Sequence, residues 1–226
     1  MLTVEVVRCV PWWGVLSSVA APVVLIGGWT VAAALQPGSF DPVAGTISAL
    51  AAQGAADRWV MTLVLVGVGI CFVLTGLALR PAAAPGRIIV ITGGLATLLA
   101  AANPEPVRGG SVHHAICAAV GFIALAAWPA GARRPGPSVP YGLRPAVSAR
   151  AVWTLLGLLG WFGAELVTGG HQIGLAERVL AGAEVGWLLA VVLTCYGGQS
   201  RARESSGGGA AYPVRSAGAE ATRRTS

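Results

Sequence analysis

Apolar residues along the chain fall into six long runs broken by short polar stretches, at approximately 12–35, 59–79, 88–102, 112–130, 151–168 and 174–196. A helix rising roughly 1.5 Å per residue needs about 20 residues to cross about 30 Å of hydrocarbon, and five of the runs reach or approach that length. The run 88–102, caught between Arg87 and Asn103, either borrows flanking residues or stops below the interface. The pattern predicts an all-α, polytopic transmembrane bundle of about six spans over residues 1–196. The first run continues through Trp29 to Leu35, longer than a secretory h-region, and only Arg8 precedes it as a basic residue. It reads as a retained helix, bent at Pro22.

Composition agrees. Of 226 residues 55% are apolar and 11% charged, and the mean hydropathy is +0.71, more than a soluble domain of this size can carry. All 15 basic residues are Arg, which with the wealth of Ala, Gly and Val suggests a GC-rich bacterial genome. The pI near 9.9 does not point to nucleic acid, because no basic stripe interleaves with aromatics. Topology explains the charge better: twelve Arg fall on one side of a six-helix layout, and only Arg58, Arg108 and Arg178 on the other. By the positive-inside bias both ends lie in the cytoplasm, in a bacterial inner membrane, with membrane lipid as the first partner. Trp12, Trp13, Trp128 and Trp153 fall near the inner interface and Trp59 near the outer one, while Trp161 and Trp187 pack between helices. The Gly-, Ser- and Arg-rich tail, 197–226, has too few large apolar residues to offset its ordering entropy and is expected to be disordered.

Small residues offer packing faces: Gly67 and Gly69 on the second helix, Gly157, Gly160 and Ala164 on the fifth, Gly182 and Gly186 on the sixth. The four cysteines have no CxxC spacing, which argues against both a disulfide framework and a thiolate metal site.

The remaining polar residues are distributed unevenly. All three histidines and six of nine acids fall on the external side or in the outer halves of helices. Glu184 sits about three turns into the sixth helix, where an ionised side chain costs about 2–3 kcal/mol and wants a partner. Glu177, seven residues before it, shares its face, and His113, His114, Arg108 and Arg178 are the candidates to neutralise the pair. Glu165 lies one turn inside the outer end of the fifth helix. In the loop 36–58, Asp41-Pro42 and Thr46-Ile47-Ser48-Ala49-Leu50-Ala51 read as a capped short helix lying along the membrane surface, with Asp57 capping the second span. Ser48, Asp57, Arg108, His114, Glu165, His171, Glu177, Arg178 and Glu184 form the candidate external polar cluster. A buried polar knot that fixes helix register, or a Glu184 that is simply protonated, would use the same residues.

The segment Gly45-Thr46-Ile47-Ser48-Ala49-Leu50 through Gly54 to Asp57-Arg58-Trp59-Val60-Met61, the histidine opening the fourth helix, and Gly174-Leu175-Ala176-Glu177-Arg178 resemble the bacterial six-helix membrane family known as domain of unknown function 998. The resemblance covers about residues 12–196 and implies a fold and a membrane address, with no activity to carry over.

Three function classes stay open. A binding or structural protein, holding a lipid-like or small-molecule ligand at the external face, asks for least. A metal-dependent intramembrane hydrolase of lipid-like substrates would hold zinc through His114, His171 and an acid, with one open position. It is faintly similar to the alkaline-ceramidase-like hydrolases, but those have seven helices and a close His pair on the last. Adjacent His113 and His114 point about 100° apart on a helix, so at most one joins His171; His114 lies one residue deeper, and the choice is close to even. A small proton-coupled transporter would titrate Glu165 and Glu184, although the chain has no duplicated broken helices.

Overall fold

The computed structural model describes residues 9–207, with 199–207 as backbone alone. It is all helical among these residues: α1 (Trp12–Ala34), α2 (Arg58–Ala78), α3 (Ala84–Ala102), α4 (Val112–Ala132), α5 (Pro145–Thr168) and α6 (Ile173–Gly207), with single 3₁₀ turns at Ser48–Ala51 and Tyr141–Leu143. Each of the six is long and apolar enough to cross a membrane, α6 through its first part, Ile173–Gly198. This is a multi-pass membrane protein. Helices are the natural solution, because lipid offers the backbone no hydrogen-bond partners.

Three boundaries differ from the hydropathy pattern, each for a local reason. α3 begins at Ala84 rather than 88, and α5 at Pro145 rather than 151; both open with proline in the first turn, where its fixed φ suits a helix and its missing N–H costs nothing. The weak third run thus borrows flanking residues and reaches 19. α6 runs past 196 to Gly207, since Gln199, Arg201, Ala202, Arg203 and Glu204 are good helix formers that hydropathy ignores. The expected disorder of the rest of the tail, 208–226, lies outside the described residues. α1 is continuous through Pro22, and α4 through Pro129.

Each helix packs on its neighbours in sequence, and α6 closes the ring against α1. α4 and α6 barely meet across the middle, which leaves a space inside. Close approach depends on small residues. Gly69 and Gly94 face each other across α2 and α3, and a Cβ on either would sit within 3 Å of the other's carbonyl oxygen. Ser17 Oγ and Thr75 Oγ1 hydrogen-bond at 2.8 Å between α1 and α2. The expected faces on α5 and α6 are not used this way: nothing lies within 4 Å of a Cβ at Gly157, Gly160, Gly182 or Gly186, and Gly67 makes only an ordinary contact with Val24. Only 6% of the α5 span is buried, against 28–44% for the other five, so α5 is a peripheral helix. Gly69→Ala is therefore expected to cost about 1–2 kcal/mol by overpacking, while Gly182→Ala, meeting open space, stays within about 0.5 kcal/mol. Denaturant unfolding of the two variants in detergent checks the contrast.

Trp12 and Trp153 are exposed at one end of the bundle and Trp59 at the other, as an interfacial belt requires. Trp128 is instead fully buried.

Candidate functional site

The end of the bundle where α2, α4 and α6 begin carries the loops 35–57, 103–111 and 169–172. The longest of these does not lie along a surface. Ile47, Leu50 and Ala51 are buried, so the loop's short helix, a 3₁₀ turn, is sunk against α1 and α2. Its shape is set locally: Asp41 Oδ1 accepts the Val43 N–H at 2.8 Å, and Thr46 Oγ1 accepts the Ala49 N–H at 3.0 Å.

The first turns of α6 hold this loop. The Leu175 N–H, one of the amides a helix start leaves without an internal partner, donates to Val43 O at 3.0 Å. Glu177 is fully buried; its Oε2 accepts the Ile47 N–H, and its Oε1 accepts the Ser48 hydroxyl at 3.3 Å. Arg178 Nη1 donates to the carbonyls of Pro42 (2.8 Å), Gly45 (2.6 Å) and Gly174 (2.9 Å), with its guanidinium over the rings of Phe40 and Trp29. Gly174 permits the approach, because a Cβ there would strike the Gly45 and Pro42 carbonyls. The acid therefore takes the loop's donors and the base its acceptors.

Under this joint lies a cavity of about 80 Å³. Its wall is mostly apolar, with Leu25, Phe72, Phe122 and Leu125 among its residues, and its polar members are Ser48, Thr97, His114, Cys117, Glu177 and Glu184. Glu177 and Glu184 line it from one face of α6, with Ala181 between them. His114 is 4% exposed, and its Nδ1 lies 3.0 Å from Asn103 O and 3.3 Å from Ala100 O. Both are acceptors, so Nδ1 carries the proton. Nε2 has no hydrogen-bond partner among the described residues and lies 4.0 Å from Glu105 Oε1, beyond hydrogen-bond reach.

Glu184 is the sharpest departure from expectation. It is 2% exposed, and its Oε1 is buried without a partner among the described residues. None of the expected neutralising groups reaches it: His113 and Arg108 are exposed, His114 turns to backbone carbonyls, and Arg178 is committed to the loop. Denied water and left unpaired, a polar group of this kind destabilises the fold that holds it.

The other candidates lie elsewhere. Asp57 sits at the start of α2 in the left-handed region (φ 47°) and, contrary to expectation, makes no capping bond; its carboxylate accepts the Trp59 indole N–H at 3.1 Å. Glu165 accepts the Gln172 N–H at 3.0 Å and shapes the α5–α6 turn. His171 is exposed in that turn and lines no cavity with His114. Among the described residues no group of three His, Cys, Asp or Glu side chains converges. Thr97 and Cys117 were absent from the sequence candidates. Cys117 had a signal, lying three residues after His114 and so on the same helix face.

A family model described as "Protein of unknown function (DUF998)" matches residues 19–194. The chain belongs to the DUF998 family. The match starts within α1 and ends within α6, so it takes in both halves of the loop joint and the whole cavity wall of this DUF998 protein. No curated protein and no solved structure matches the chain.

Proposed function

We propose that this DUF998 protein binds a small, largely apolar molecule in the cavity inside its bundle, beneath the loop that α6 holds in place. One observation carries the reading: a mostly apolar cavity keeps a buried acid, Glu184, whose Oε1 has no hydrogen-bond partner among the described residues. Glu177, on the same face of the helix, instead spends its carboxylate on the loop. A group left unpaired at a cost to stability is characteristic of a site built for something else to complete.

Filling the cavity tests this. Ala181 stands between the two acids on the cavity wall, and Ala181→Phe is expected to block the space. Mass spectrometry of organic extracts from purified protein is expected to find a small molecule that accompanies the wild type and is lost from the variant. Cys117, a free thiol on the same wall, is expected to react more slowly with a small membrane-permeant maleimide in Ala181→Phe than in the parent, both lacking the other three cysteines. Identical extracts and identical alkylation rates contradict the reading.

From the Arg distribution we further propose that the site lies on the external side of a bacterial cell membrane, with both chain ends inside. Ser39 and Ser138 are exposed in loops at opposite ends of the bundle. In intact cells and a cysteine-free background, Ser39→Cys is expected to react with a membrane-impermeant thiol reagent and Ser138→Cys to stay unlabelled. Labelling of Ser138→Cys alone inverts the orientation.

A further inference from the structure

The polar wall of the cavity is one-sided in its hydrogen bonding. Ser48 gives its hydroxyl proton to Glu177, and Thr97 gives its own to Gly93 O at 2.9 Å. The His114 ring has its Nδ1–H turned to Asn103 O, and its Nε2, 4.0 Å from Glu105 Oε1, has no hydrogen-bond partner among the described residues. Glu184 adds a carboxyl group with Oε1 unpartnered. No Arg lines the cavity, and Arg178, next to Glu177 in the chain, has its Nη1 spent on three carbonyls of the loop and helix backbone. Ser48, Thr97 and His114 Nδ1 thus direct a donor to the protein, and of the other polar residues of the lining the Cys117 thiol is a weak donor. Phe72 and Phe122 also line the wall, and an aromatic ring attracts a cation to its face.

Resting on the binding reading above, we propose that the occupant is an organic ammonium: a protonated primary amine on a short apolar body. An ammonium has three donors and no acceptor, the complement of this wall, and it supplies the positive charge that Glu184 lacks. A carboxylate or phosphate head would bring a further negative charge beside two acids, and no Arg lines the wall to receive it. Two sources carry this chemistry, a free alkylamine and the ethanolamine head of a phospholipid.

Calorimetric titration of the purified full-length protein with n-butylamine, n-butanol and n-butyrate at neutral pH tests the assignment. Butylamine is expected to bind about ten-fold tighter than butanol, the equivalent of one hydrogen bond to a charged group. Butyrate is expected not to bind. Glu184→Gln, which keeps the shape and removes the group able to ionise against an ammonium, is expected to abolish the preference for amine over alcohol; a cooperative melt confirms its fold. Equal or tighter binding of butanol or butyrate, or an amine preference that survives Glu184→Gln, overturns the ammonium assignment. If butanol still binds wild type and not Ala181→Phe, cavity binding stands and only the ligand class falls; wild type that binds none of the three overturns the ligand class outright. Repeating the butylamine titration in phosphatidylglycerol nanodiscs with and without phosphatidylethanolamine separates the sources. Weakened apparent affinity with the ethanolamine lipid supports an ammonium supplied by the headgroup, and unchanged affinity supports a free amine.

Discussion

Glu177→Ala is expected to lower the unfolding free energy by about 3 kcal/mol, the largest loss of any single side-chain truncation in the loop joint. The truncation strands the Ile47 amide, a buried donor, and releases the Ser48 hydroxyl that Glu177 fixes. It also removes the acid beside Arg178 and leaves the loop to the Arg178 bonds to Pro42 and Gly45 and the Leu175 bond to Val43. Glu177→Gln is the discriminating control. Its amide oxygen still accepts from Ile47, so its loss should be near 1 kcal/mol, one ordinary hydrogen bond. Reversible denaturation in mild detergent measures both, and an alanine variant as stable as wild type would mean that Glu177 does not hold the loop.

Glu184→Leu is expected to act in the opposite direction, raising stability by about 2 kcal/mol. The two acids are seven residues apart on one helix face and equally buried, but their surroundings differ. Glu177 is bonded, whereas Glu184 has an oxygen with nothing to bond to. Leucine removes that desolvated group and places apolar atoms in an apolar cavity. The same variant is expected to lose amine binding, so stability and binding move apart, as they do where a site residue is retained at the fold's expense. A drop in melting temperature on Glu184→Leu would reveal a partner for this acid and remove the main support for a ligand.

The contrast between these glutamates also marks what the sequence can and cannot convey. Six spans are readable because a lipid-facing helix needs a continuous apolar run, and that run is the whole signal. Helix ends are less so: Pro85 and Pro145 extend α3 and α5 through residues that hydropathy scores as loop. Small residues show where backbones can approach, not whether a neighbour is there, and α5 keeps its glycines without using them. At the site, the seven-residue spacing puts Glu177 and Glu184 on one face before any coordinates are known. The partner of Glu177 has no such signature, since the Ile47 backbone N–H is common to every residue but proline. Electrostatic pairing with His or Arg is the natural guess for Glu184 from composition, and it fails because backbone carbonyls hold His114 through Nδ1 and Arg178 through Nη1. The sunken loop was closer to legible: Ile47, Leu50 and Ala51 already form an apolar face, read as membrane-facing when it faces the bundle.

An experimental density map of the protein in lipid nanodiscs, at a resolution that shows side-chain oxygens, tests the central claim most directly. Non-protein density is expected in the cavity between Ser48, His114 and Glu184, with one end within roughly 2.7–3.2 Å of the Glu184 carboxyl group. A cavity closed by repacked side chains, with Glu184 hydrogen-bonded to a neighbouring residue of the protein, would contradict it.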